Sequence, residues 1–326
     1  MPYNNQSILV IGGAGYIGSH VVLELCDQDY DVTVFDNLST GNEINVDSRT
    51  NMIKGDILNI DELKNVFTRS YDVVFHFAAL KASAESMKEP GKYATNNIIG
   101  TINILNQMAE NGVHNIIFSS TAAVYGMPEY LPIDENHPLN PINFYGFTKL
   151  EIERILFWFR ELKKINFAAL RYFNAAGYDL KGRITALERN PENLLPTLME
   201  TAMGIRESMQ IFGDDYDTAD GTGIRDYIHV TDLASAHIKS MDFIINNHEN
   251  LTLNLSTGRG YSVLDVIGQI KKITDIDIPF KVVSRRPGDP SEMVAISKLA
   301  QNIIKWECEY SDIKTILESM WKAYNQ

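Results

Sequence analysis

The sequence predicts an α/β protein built on a doubly wound parallel sheet, followed by a smaller mixed α/β region. Three observations carry this. Short runs that are almost wholly apolar alternate with helix-period segments through the first half of the chain, as strands buried on both faces do. The first of these runs ends in a cluster of glycines that opens a helix. After Asn174 the alternation breaks, and Gly, Asp and Pro accumulate.

The elements follow in order. Ser7–Ile11 reads as the first strand and Tyr16–Asp27 as the first helix. Residues 31–35, 51–53, 71–79 and 114–119 read as the next four strands, and Asn166–Tyr172 as the sixth. Helices are expected over 93–111 and 143–163. Beyond them, 177–193 is polar, with Pro191 and Pro196 as breakers, and 213–225 lacks periodicity. Short strands at Leu251–Leu255 and 279–283, and helices at 232–245 and 263–273, complete the second part. The expected division is one domain over 1–175 and a second over 176–326, with part of 225–250 returning to the first. The second would supply loops over the carboxyl ends of the first sheet.

Composition narrows the function classes. The chain has 326 residues and a formal net charge of -13. So acidic a protein is a poor partner for nucleic acid or an anionic membrane, and an anionic ligand would need a local cluster of Arg or Lys. Cys26 and Cys308 cannot build a disulfide framework, which fits a reducing, cytoplasmic setting. No leader segment and no membrane span is expected, because no apolar stretch approaches the ~20 residues that a span needs. No metal site is expected.

Gly12-Gly13-Ala14-Gly15-Tyr16-Ile17-Gly18 follows the first strand directly and opens a helix. The spacing Gly12-x-x-Gly15-x-x-Gly18 is a relative of the dinucleotide fingerprint: glycines allow the tight turn and the close approach of backbone to pyrophosphate. The helix N-terminus adds free N–H groups and a positive dipole end. Asp36 ends the second strand, where a carboxylate binds ribose hydroxyls and repels a 2′-phosphate. NAD is therefore expected rather than NADP. The competing reading makes Asp36 a turn residue.

Tyr145 and Lys149 are four apart in a helical segment and share one face. An ammonium beside a phenol favours phenolate, and a Tyr tuned toward neutral pH can take a proton from a substrate hydroxyl and return it. Ser119-Ser120-Thr121 ends the fifth strand, on the side of a parallel sheet where ligands bind, so Thr121 can hydrogen-bond a reacting oxygen. A surface helix pair and an ordinary loop start are the bland alternatives.

With these three elements in order, the chain resembles the extended short-chain dehydrogenase/reductase superfamily, whose nucleotide domain is Rossmann-type, and within it the UDP-galactose 4-epimerases. The likeness runs from Ile8 to about Ile296. It is carried by the glycine turn, Asp36-Asn37-Leu38, Gly55-Asp56-Ile57, the run from His76 to Lys81, Tyr145 to Lys149, Arg171 to Asn174, Phe212 to Tyr216, Arg225 to Val230 and Arg285 to Asp289.

The resemblance implies a catalytic Tyr145, a Lys149 that binds the nicotinamide ribose and tunes Tyr145, and a supporting Thr121. It implies NAD contacts from Gly12, Gly15, Tyr16, Ile17, Gly18, Asp36, Asn37, Asp56, Ile57, Phe77, Ala78, Ala79, Lys81, Asn96, Ser119, Tyr145, Lys149 and Tyr172. For a UDP-hexose it implies Lys81, Thr121, Tyr145, Asn174, Asn193, Leu194, Gln210, Phe212, Arg225, Arg286, Asp289 and Met293. The Arg pair answers the charge question, since guanidiniums hold a diphosphate within an acidic protein. The implied reaction inverts C4 of UDP-glucose or UDP-galactose through a 4-keto sugar.

Met293 falls where the family sets the room around the sugar's C2 substituent. Its intermediate size leaves a UDP-N-acetylglucosamine epimerase or a bifunctional enzyme open. The segment 182–194 departs from the family pattern. A homodimer is also implied, through helices near 93–111 and 143–163 that bear Ile98, Ile102, Leu105, Ile152 and Leu156, although burial under the protein's own sheet explains several of these equally well.

Three rivals share parts of the pattern. A nucleotide-sugar dehydratase or decarboxylase needs an acid beside Thr121, where Ala122 and Ala123 stand. A ketoreductase needs exchangeable NADPH, against which Asp36 argues. A non-enzymatic NAD-binding protein has no use for Thr121, Tyr145 and Lys149 together.

Overall fold

The computed structural model describes residues 6–188, 191–286 and 288–326. Arg189 and Asn190, within the divergent 182–194 segment, and Pro287, within the run from Arg285 to Asp289, lie outside the described residues.

The first half runs β1 (Ser7–Ile11), α1 (Tyr16–Asp27), β2 (Asp31–Asp36), β3 (Asn51–Lys54), α2 (Ile60–Val66), β4 (Val73–His76), the single turns α3 (Ser83–Ser86) and α4 (Pro90–Tyr93), α5 (Gly100–Glu110), β5 (Asn115–Ser119), α6 (Phe144–Lys163) and β6 (Asn166–Tyr172). There follow β7 (Asn174–Ala176), α7 (Leu194–Ala202), β8 (Met209–Phe212), β9 (Ile224–His229), α8 (Val230–Asn247), β10 (Leu251–Leu255), β11 (Gly260–Ser262), α9 (Val263–Thr274), β12 (Phe280–Val283), β13 (Glu292–Met293), α10 (Lys298–Ile304) and α11 (Ile313–Tyr324).

Seven strands form one parallel sheet in the order β10-β6-β5-β4-β1-β2-β3. The chain's progress reverses between β1 and β4, which opens a crevice at the strands' carboxyl ends. Successive strand residues face opposite layers. Ile8, Val10, Val34 and Phe75 pack with Val21 and Leu25 of α1 and Leu233 and Met241 of α8. Leu9, Ile11, Phe35, Val74 and Phe118 pack with Ile104 and Leu105 of α5 and Ile152 and Leu156 of α6. Covered on both faces, the strands are apolar throughout.

The structure revises several expectations. Leu251–Leu255 is the seventh strand of the large sheet, parallel to β6, with Leu251, Leu253 and Leu255 completing one of its core layers. The fourth strand ends at His76 instead of Ala79, so Phe77, Ala78 and Ala79 are free to line the crevice. Helical backbone begins at Pro90 and passes through a π-helical stretch, Ala94–Ile99, before α5. Leu105, Ile152 and Leu156, expected on a dimer face, are buried beneath the protein's own sheet, and Ile98 packs against the same core. The exposed apolar residues of these helices are instead Ile99, Phe147, Phe157, Trp158 and Leu162.

The remaining elements form a smaller layer. β9 pairs with β7, β11 and β13, and β8 pairs with β12. Leu195, Leu198 and Met199 of α7 meet Val266 and Ile270 of α9 and Ile316, Leu317 and Met320 of α11.

The divergent segment has a clear course from 183 to 188. Arg183 binds Asp179 and also Asp27 at the end of α1. Buried Asn45 accepts from the amides of Thr185 and Ala186 and donates to the Ala186 carbonyl at 2.8 Å. Glu188 pairs with Lys81, just beyond the crevice-lining Leu80. The segment is thus a strap laid from the second part of the chain across loops of the first.

Candidate active site

A groove lies at the carboxyl ends of β1, β2 and β4. It is lined by Gly12, Gly15, Asp36, Asn37, Ile57, Phe77, Ala78, Ala79 and Asn96, all expected from sequence to contact the cofactor, by Gly55 and Leu80 from the same motifs, and by Ser39 and Thr40, which were not singled out. Gly12 has φ +83, and a Cβ there would stand 2.5 Å from the Ala78 amide nitrogen. At Gly18 a Cβ would strike the Gly12 carbonyl oxygen. The glycine pattern is therefore a packing requirement of this turn. No side chain caps α1 at Gly15, which leaves first-turn amides for an anion.

Asp36 both lines the groove and holds the turn. Its carboxylate accepts from the amides of Ala14 at 3.0 Å and Leu38 at 2.8 Å. Burial raises its pKa, and the two amides oppose the rise. Each oxygen keeps a further lone pair for ribose hydroxyls. Asn37 donates to Asp56 at 2.9 Å, which ties the loops after β2 and β3 together. The side chains of Tyr16 and Ile17 turn away from the groove: the Tyr16 hydroxyl donates to the Gly177 carbonyl at 2.5 Å, and Ile17 packs on the core. The turn, the amides and the carboxylate suit a dinucleotide with an unphosphorylated ribose.

The hydroxyl cluster lies at the carboxyl end of β5, the neighbour of β4 in the sheet. Lys149, 2% exposed, donates to the Ser119 carbonyl at 2.6 Å. The Ser119 hydroxyl shares a short hydrogen bond with Tyr172. Tyr145 lies near Thr121, whose hydroxyl acts on its phenol and accepts from the Ala123 amide at 3.2 Å.

The electrostatics differ from the sequence expectation. Burial pushes the Tyr145 phenol up to about 12, with the nearby Thr121 hydroxyl opposing. Burial also pulls Lys149 down to about 7, against the attraction of Glu153. The ammonium is turned toward Ser119 and Phe118, 4.7 Å from the Phe118 ring centre and 6.0 Å from that of Tyr145.

Several bracing residues escaped sequence reasoning. Ser86 accepts from the Tyr145 amide at 3.0 Å. Asn97, in the π-helical stretch, bonds Leu80 on one side and Thr148 on the other. Glu153 takes a bond from Ser120 and pairs with buried Arg171, which also donates to Tyr125 at 3.0 Å. Only the single-turn spacing from Lys149 to Glu153 was visible in the sequence.

The second part of the chain supplies a cationic end. Arg225 on β9 pairs with Asp289, and Arg286 stacks over Phe212 at 3.8 Å. Met293 is the register partner of Arg225 and packs with Phe173 against Tyr125, Ala122 and Ile133, joining this end to the hydroxyl cluster. Asn174 donates to the Asp226 carbonyl at 2.9 Å, Gln210 is exposed on β8, and Asn193 and Leu194 begin α7, with Leu194 packed on the smaller core. Lys81 pairs with Glu188 in the strap.

Comparison with known proteins agrees with this architecture. Residues 8–255 match the NAD dependent epimerase/dehydratase family. The UDP-glucose 4-epimerase of Halalkalibacterium halodurans is 44% identical over 98% of this chain and 96% of that one. The crystal structure of UDP-glucose 4-epimerase from Brucella ovis in complex with NAD superposes with a TM-score of 0.95 at 39% identity, covering 98% of both chains. That from Bifidobacterium longum in complex with NAD+ and UDP gives 0.92 at 36% identity, again covering 98% of each. With its parallel sheet, glycine turn and Thr121–Tyr145–Lys149 cluster, the chain belongs to the NAD dependent epimerase/dehydratase family and, within it, to the UDP-glucose 4-epimerases.

Proposed function

We propose that this protein interconverts UDP-glucose and UDP-galactose by inverting C4 through a transient 4-keto sugar, with NAD as resident cofactor. The observation that carries the reading is the gathering of Thr121, Tyr145 and buried Lys149 at the carboxyl end of β5, beside the strands that bear the groove, with no acid beside Thr121. A dehydratase or decarboxylase needs such an acid, and Ala122 and Ala123 exchange no proton.

The nucleotide domain, 1–175, would hold NAD. Asp36 takes the adenosine ribose; Gly12, Gly15 and the amides of Tyr16, Ile17 and Gly18 take the pyrophosphate. Asp56 and Ile57 flank the adenine, and Phe77 to Ala79, Lys81, Asn96, Ser119 and Tyr172 enclose the remainder. When bound, the cofactor supplies the oxidant at C4 and then the reductant on the opposite face. Tyr145 Oη removes the C4 hydroxyl proton and returns it. Thr121 orients that phenol and the reacting oxygen, and Lys149 holds the ribose and the local positive charge. Residues 176–326 would bind the UDP-sugar. Phe212 and Gln210 line the uracil, with Asn174, Asn193 and Leu194 beside the nucleotide. Arg225, Arg286 and Asp289 grip the diphosphate and ribose while the keto sugar turns against Met293. We further propose a cytoplasmic homodimer formed through the outer faces of the helices that carry Ile99 and Trp158.

A coupled assay of purified protein with UDP-galactose, reading UDP-glucose, tests the reaction. Absence of product, together with no absorbance change of bound NAD on adding UDP-glucose, rejects it.

A further inference from the structure

Tyr216 lies in the loop between β8 and β9, its ring closed in on two sides. The Arg285 guanidinium stacks 4.1 Å from the ring centre, and a Cβ at Gly213 would come within 2.8 Å of the ring. Its backbone amide donates to the Gly221 carbonyl at 2.9 Å, which fixes the loop. The residue is 6% exposed, yet its hydroxyl has no hydrogen-bond partner among the described residues. The charged groups acting on that hydroxyl are Asp289, Arg225, Arg285 and Asp215. Burial, more than any of them, raises its pKa and keeps the phenol protonated.

A buried hydroxyl with no partner destabilises the fold, and native structures rarely keep one without a use. A protonated phenol has a proton to donate. Of the carboxylates near it, Asp289 already binds Arg225 and Asp215 binds Arg285. Arginines have no acceptor to offer. The partner that suits this position is an acceptor oxygen that arrives with the ligand, carries negative charge, and sits beside Arg225 and Arg285.

We propose that Tyr216 Oη donates a hydrogen bond to a diphosphate oxygen of the bound UDP-sugar, as a substrate-binding residue additional to Arg225 and Arg286. The inference rests on the reading of this end of the site as the diphosphate subsite. It also explains the stacking: Arg285 holds the phenol in place from the ring face and adds positive charge near the same anion.

The test is Tyr216→Phe in the purified holoenzyme. A hydrogen bond to a charged oxygen accounts for about 10- to 100-fold in affinity. UDP binding, measured by calorimetry, falls by that factor, and KM for UDP-glucose rises with it. Inhibition by uridine, which has no phosphate, stays within about twofold of the wild type. The ligand-free variant melts at the same temperature or higher, because the deleted hydroxyl had no partner to lose. Unchanged UDP affinity, equal losses for UDP and uridine, or a lower melting temperature of the free variant each overturn the proposal. Wild-type protein that neither binds UDP nor epimerises UDP-glucose overturns the underlying reading instead.

Discussion

The Lys149 ammonium donates to the Ser119 carbonyl at 2.6 Å, while Tyr145, one helical turn earlier, lies near the hydroxyl of Thr121. The two side chains on one helix face thus meet two different residues at the end of β5. Lysine is fixed by main chain and tyrosine faces a hydroxyl, so substitutions at the two positions should fail in different ways.

Tyr145→Phe removes the proton acceptor and keeps the ring. General-base contributions run about 10²–10⁴-fold, so kcat should fall at least 100-fold while NAD content stays at the wild-type level. Steady-state kinetics, with mass spectrometry of the nucleotide released on denaturation, checks both parts. Near-normal turnover removes Tyr145 from the mechanism.

Lys149→Met should slow turnover and loosen NAD. It should also change how stability depends on pH. Burial lowers the Lys149 pKa from 10.5 to about 7, so folding penalises the ammonium. The penalty is full below about pH 7, fades as pH rises from there to about 10.5, and is absent above. Across that window the wild type should gain stability relative to Lys149→Met. Urea midpoints of the two proteins, compared at several pH values, measure this; a constant difference contradicts it.

Glu153 and Arg171 form an ion pair with side-chain exposures of 8% and 5%. Removing one partner of a buried pair costs about 3–5 kcal/mol, because the other charge is left uncompensated. Glu153→Gln should therefore lower unfolding stability by roughly 3 kcal/mol. Replacing both with Met should recover much of that loss. A Glu153→Gln variant as stable as wild type in urea would show the pair to be energetically idle.

Asn45→Ala deletes the three hydrogen bonds that fasten Thr185 and Ala186. At about 1 kcal/mol per net bond, a loss of about 3 kcal/mol is expected. Proteolysis of the native protein should become faster between 183 and 188. Equal cleavage rates in variant and wild type would mean that the strap is held elsewhere.

Trp158 is 59% exposed on α6, in the same outer stripe as Phe147 and Leu162. If this face joins two copies, Trp158→Asp should give a monomer mass by light scattering where the wild type gives a dimer. A wild-type monomer at micromolar concentration ends the proposal.

Much of the fold was legible because its signals are local. The glycine turn is written within seven residues, and buried parallel strands announce themselves as apolar runs. Leu251–Leu255 was recognised as a strand but not as part of the large sheet, since five residues with no special neighbours do not say which partner they pair with. Apolar residues on α5 and α6 showed that each helix has a buried stripe. They did not show that Leu105 and Ile152 face the sheet while Ile99 and Trp158 face outward. In the site, residue types that chemistry demands stood out, whereas Ser86, Asn97 and Asn45 did not. Their work is done through partners 59, 51 and 141 positions away, and polar residues of that kind look like ordinary surface until the chain is folded.

The strap is fastened to Asp27, Asn45 and Lys81, all on the side of the chain that bears the groove. With the sugar at the Arg225 end, as proposed, its exchange would leave these fastenings in place, and the two ligands would keep separate clocks. A cofactor resident in the groove would be acquired once and serve thereafter as a built-in part. Such a molecule would be indifferent to the cell's momentary supply of oxidised nucleotide. It would have no second chance either, since a sugar that departed before the reduction was complete would strand the protein in the reduced form. Its working life would then be better counted in turnovers than in hours.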